Sequence, residues 1–92
     1  MTKLIAKTLD HVYDALEALR ETPLRPRDAF NNIKYTVHLL KHPQDHFETS
    51  SRNTLTECME LLRQNRPREA HEKVRVVYDA MLVKATRMGV GR

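Results

Sequence analysis

The chain contains no tryptophan, one cysteine, and two glycines that both fall within its last four residues. With no glycine before position 89, it makes little use of hairpin turns that need positive φ. Cys58 has no internal partner, so no disulfide closes the fold, and a reducing, cytoplasmic setting is expected. The only aromatic residues are Tyr13, Phe30, Tyr35, Phe47 and Tyr78, which leaves the core mainly aliphatic. No run approaches the roughly eighteen apolar residues of a membrane span, and no charged and apolar leader pattern opens the chain. A soluble protein with no membrane partner is therefore expected. A Gly-rich phosphate loop, a nucleophile elbow and an H-E-x-x-H pair are all missing, which argues against catalysis and against a bound cofactor.

What is present reads as helix. Ninety-two residues are enough for one domain with a single core. The four prolines, at 23, 26, 43 and 67, divide the chain into four segments with apolar residues at steps of three and four. The spacing predicts helices over about 2–21, 28–42, 52–65 and 67–88. Ile5, Leu9, Val12, Leu16 and Leu19 form the first stripe, opposite Asp10, Asp14, Glu17 and Glu21. Asp28 reads as the N-cap of the second helix, whose stripe is Phe30, Ile33, Val37 and Leu40. Thr54 with Glu57 fits a capping box for the third, with Leu55, Cys58, Met59 and Leu62 inward. Pro67 suits the first turn of the fourth, which carries Ala70, Val74, Val77, Tyr78, Met81, Ala85 and Met88. The expected core includes Leu9, Leu16, Ile33, Val37, Leu62, Val74, Val77 and Met81. Four amphipathic helices and no credible strand predict an all-α fold, a single-domain antiparallel four-helix bundle. "LLRQNRPREAHEKV" is similar in rhythm to the helical hairpins of tetratricopeptide repeats, but only one hairpin is present and no period recurs.

Sixteen Lys and Arg against twelve Asp and Glu give a formal charge of +4, a modest bias towards nucleic acid, a nucleoprotein complex or an acidic protein surface. "NIKYTVHLLKH" concentrates that bias. Opposite the second stripe it sets Asn31, Tyr35, His38 and His42, flanked by Lys34 and Lys41, and it holds no acid. Lysines there suit phosphate or carboxylate, and a tyrosine among them suits a stacked base or a protein contact. The alternative is an ordinary solvated face whose last turn favours cations through the helix dipole. His38, His42 and His46 recur at steps of four, but Pro43 interrupts them, so no metal site is expected.

"HLLK" resembles the H-x-L-K-G context of histidine phosphotransfer domains through His38, Leu40 and Lys41. That resemblance implies phosphoryl transfer on His38, although His42 stands in place of the glycine and Pro43 ends the helix. A second candidate site is "RQNRPR", where Arg63, Arg66 and Arg68 crowd a helix corner able to receive phosphate or carboxylate. Glu69 and Glu72 follow closely enough to neutralise it. A third is an apolar seam, Val76, Ala80 and Val83, opposite the main stripe of the fourth helix, as in a homodimer or partner contact. The expected function is a small binding or regulatory protein engaging nucleic acid or a nucleoprotein complex. In size and lack of motifs the chain also resembles phage and mobile-element inhibitors such as anti-CRISPR proteins, which implies docking on a host protein complex.

Overall fold

The computed structural model describes the backbone of residues 2–20 and 24–87, and side chains from residue 6 onward within those ranges. It contains four helices, α1 (Thr2–Arg20), α2 (Pro26–Leu39), α3 (His46–Arg63) and α4 (Pro67–Arg87), and no strand among the described residues. Each packs on two neighbours: α1 on α2 and α4, and α3 on α2 and α4. The longest dimension is 35 Å, close to the length of the 21-residue α4, so the helices run along one axis and short connections make successive ones antiparallel. This is an all-α antiparallel four-helix bundle.

The core is built from small and aliphatic residues. Leu9, Val12, Leu16 and Leu19 of α1 are buried as their spacing predicts, interleaved with Ala15 and Ala18. Ala29, Ala70 and Ala85 do the same on α2 and α4, and they let the helix axes approach without large rings between them. Of the expected core, Leu9, Leu16, Ile33, Val74, Val77 and Met81 are buried, whereas Val37 and Leu62 are only partly so. Ile5 and Met88 lie outside the described side chains. None of the described helices is long and apolar enough to cross a membrane.

The second helix is rolled relative to its apolar stripe. Its buried residues are Ala29, Ile33 and Thr36, continued by Leu40, while Phe30 and Val37 sit on the flank. The cause is Thr36. Its hydroxyl donates to the Asn32 carbonyl at 2.9 Å, so a nominally polar residue enters the core with its hydrogen bond made. Asp28 is not the cap. The helix opens with Pro26 in its first turn, and Asp28 stands inside that turn, 3.5 Å from Arg25.

The third helix starts at His46 rather than near residue 52. Its cap is Asp45, whose carboxylate accepts the Glu48 amide at 2.9 Å while Glu48 Oε1 accepts the Gln44 amide at 3.0 Å. That reciprocal arrangement lets Glu48 be buried with its carboxylate satisfied. Thr54 and Glu57 therefore lie in the helix interior and cap nothing. At the other end the helix closes with Asn65 at φ 58°. The Arg66 amide reaches back to Leu61 O at 2.9 Å and the Asn65 amide to Leu62 O at 3.1 Å. This is the Schellman arrangement, with asparagine taking the left-handed position usually held by glycine.

Candidate functional site

The roll of α2 divides the face that its sequence places together. Asn31, Lys34, Tyr35 and His38 are all exposed on the helix, but they lean towards different neighbours. Tyr35 turns towards α1, where its ring meets His11 edge-on with centroids 4.5 Å apart. His11 Nδ1 and Asn32 Oδ1 are 3.0 Å apart, and Asn32 Nδ2 donates to Asp28 O at 3.0 Å. With its amide nitrogen thus committed, Asn32 offers its oxygen, and His11 donates from Nδ1. Tyr35 is still 40% exposed, but one side of its ring is engaged in the α1–α2 seam. His11 is a participant that periodicity alone does not mark, because it lies at the edge of the α1 stripe.

Lys34 lies on the opposite flank, towards α3. Arg27 precedes it by seven residues, nearly two full turns, so both occupy one line of the helix. Lys41, seven further on, is exposed in the turn that leaves α2, beside His42. Across the seam, Arg52 and Arg63 are eleven residues apart on α3, about three turns, and again share a line. Arg63 lies over the Phe30 ring at 5.4 Å, which places that line against the α2 flank. Arg27, Lys34, Lys41 and Arg52 make no ion pair among the described residues. Arg27 and Arg52 extend the expected site. The seven-residue step from Arg27 through Lys34 to Lys41 is the signal that marks the first of them.

The arginine corner is not one site. Arg63 pairs with Glu60 at 3.4 Å and borders a groove with Pro26, Arg27, Phe30 and Leu62. Arg66 is held by the Glu69 carboxylate and by Gln64 Oε1 at 2.9 Å, on the side facing Glu57 and Lys73. Arg68 borders a third depression, with Leu19, Leu24 and His71. The three guanidinium groups address three surfaces, and only that of Arg63 joins the α2 flank.

The outer seam of α4 is exposed as its spacing predicts. Val76 is 60% and Val83 53% accessible, and Ala80 is exposed between them. Beside Ala80 and Val83, the half-buried ring of Phe47 lies under the Lys84 ammonium, 4.4 Å away, and these residues form an apolar groove with Arg87.

The chemically reactive residues are placed quietly. Burial pushes the Cys58 thiol up to about 12, and Cys58 Sγ points at the Ala70 carbonyl, 3.8 Å away. His38 is exposed one residue before α2 ends, so Leu40 and Lys41 of "HLLK" belong to the turn rather than to a continuing helix. Among the described residues no three His, Cys, Asp or Glu side chains are grouped to hold a metal. The site thus offers charge and shape. Comparison of the chain with protein-family models, with curated proteins and with solved structures finds no match.

Proposed function

We propose that this is a small, non-enzymatic, cytoplasmic binding protein that engages nucleic acid, free or within a nucleoprotein complex, through the α2–α3 flank. One observation carries the reading. Among the described residues, Arg63, Arg66, Lys73, Arg75 and Lys84 each hold a carboxylate, whereas Arg27, Lys34, Lys41 and Arg52 hold none; Lys7, Arg68 and Arg87 also hold none, but they stand apart, on α1 and at the two ends of α4. Like charges left unneutralised along about 20 Å of one surface repel each other, and a phosphate backbone relieves that repulsion. The half-buried Phe30 beside Arg27 and Arg63 adds an apolar contact within the same flank.

Four phosphate contacts imply a plot of log K against log salt with slope of about −3.6 for duplex DNA, or roughly a 150-fold loss of affinity between 50 and 200 mM salt. Lys34→Glu with Lys41→Glu removes two of the four, so the slope should fall to about −1.8 or shallower, with weaker binding at every salt concentration. Both lysines are exposed, so folding should be unaffected. Fluorescence anisotropy with duplex and single-stranded probes reads both quantities. No binding to any nucleic acid at 50 mM salt would remove this reading and favour an adaptor or inhibitor that docks on an acidic protein surface. An unchanged slope in the double variant would show that the flank is only a solvated helix face.

A further inference from the structure

We infer that the chain forms a two-fold homodimer through the outer face of α4, with the two α4 helices antiparallel. Val76 and Val83, seven residues apart, occupy one line of α4 almost directly opposite its buried line of Ala70, Val74, Val77, Met81 and Ala85. No described element of the bundle covers them. The occupant is argued from self-complementarity, which an isologous contact requires of a single surface. Place the two-fold axis level with the 79–80 peptide. Val76 of each copy then lies level with the partner's Val83, facing the apolar groove of Phe47, Ala80 and Val83. The knob and the groove are thus both on this chain, at equal distances either side of the axis. Ala80, at the crossing, carries a side chain small enough for close approach of the two helices.

The charges are mixed in this register: Arg75 falls level with the partner's Lys84, although the two side chains stand on opposite flanks of the Val76–Val83 line, and one pair of opposite charges is made. Glu72 falls level with the partner's Arg87, and the symmetry makes this pair twice. Among the described residues Glu72 bonds only its own neighbour Arg75, at 3.3 Å on an exposed surface, a contact readily exchanged or shared. The two Asp79 carboxylates approach each other near the axis, and each has Arg75 at 3.9 Å to offset the repulsion. A parallel pairing offers neither match: it sets Val76 against Val76 and Arg87 against Arg87. Since α2 stands diagonally across the bundle from α4, pairing through α4 leaves the basic flank of each copy free.

Sedimentation equilibrium of the full chain, from a few to several hundred micromolar, tests the inference. A reversible monomer–dimer equilibrium is expected, because a single helix pair is at the small end of stable interfaces. Val76→Glu should abolish the dimer while circular dichroism remains helical, since the side chain is 60% exposed. Glu72→Arg alone and Arg87→Glu alone should each weaken the dimer several-fold, and the two together should restore it. A wild-type chain that stays monomeric throughout, or a dimer indifferent to Val76→Glu, would overturn the interface. A combined charge exchange that binds no better than the single variants would overturn the antiparallel register. None of these substitutions touches the α2–α3 flank, so the salt dependence of nucleic-acid binding is decided separately.

Discussion

Ile33→Ala and Val37→Ala, made separately, test the roll of α2 on which the placement of Lys34 and Tyr35 depends. A simple apolar stripe puts both residues inward, whereas the structure gives Ile33 no accessible surface and leaves Val37 on the flank. Ile33 is bordered on its own helix by Ala29 and Thr36, both fully buried, and α1 and α3 close the core on either side. The cavity left by truncation has little room to collapse, so a cost of about 3–4 kcal/mol is expected, within the 2–5 of such changes. For a domain of this size that is about 12–30 °C in Tm. Val37→Ala removes the equivalent of two methylene groups, each about 0.8 kcal/mol when fully buried and less on a half-buried flank. Its cost should be about 1 kcal/mol, or about 4–8 °C. Urea unfolding at 25 °C, analysed with a common m value, separates the two. If Val37→Ala costs as much as Ile33→Ala, α2 is turned towards its apolar stripe. Tyr35 would then leave His11, and Lys34 would swing towards the core edge, which would dismantle the basic flank.

Two further substitutions probe the ends of α3. Asn65→Ala puts a Cβ-bearing residue without asparagine's local hydrogen bonding at φ 58°, and should cost about 1 kcal/mol by thermal melt, whereas Asn65→Gly should be neutral or stabilising. Equal effects from alanine and glycine would refute the left-handed turn. The Asp45 carboxyl is held below its usual 3.8, first by the hydrogen bond from Lys84 and then by the Glu48 amide. A depressed folded-state value means that its contribution is present above pH 3.8 and disappears as the pH falls through the lower folded value. Asp45→Asn should therefore lower the melting temperature at pH 6 and flatten the acid limb below the usual 3.8, and an unchanged acid limb would refute the assignment.

The architecture was readable because each helix buries one stripe, and three- and four-residue steps of Leu, Val and Ala record that stripe directly. The errors cluster where a polar group is buried with its bonds made. Thr36 looks like a surface residue until its hydroxyl finds the Asn32 carbonyl, and its burial rolls α2 away from Phe30 and Val37. Glu48 looks solvated until Asp45 and Gln44 enclose it, and its burial moves the start of α3 back to His46. The second case had a signal in "DHFE", an acceptor followed three residues later by glutamate, which is a capping pattern in its own right. The first had none, since a threonine on the helix exterior makes the same back-bond.

The surfaces were legible to different degrees for a related reason. Charge is written in the sequence, but neutralisation depends on which flank of a helix meets which neighbour. Arg66 and Lys34 look equally basic on paper; Arg66 lies against Glu69, whereas Lys34 makes no ion pair among the described residues. Tyr35 seemed part of the lysine face because a helical wheel shows direction without neighbours, and α1 supplied His11 on that side. The α4 seam suffered no such ambiguity. In a ring of four helices each member has one inward face, and on α4 that face is already filled from Ala70 to Ala85. Any apolar line opposite it must then be exposed, whatever the roll of the other helices, so Val76 and Val83 are accessible by the geometry of the bundle itself.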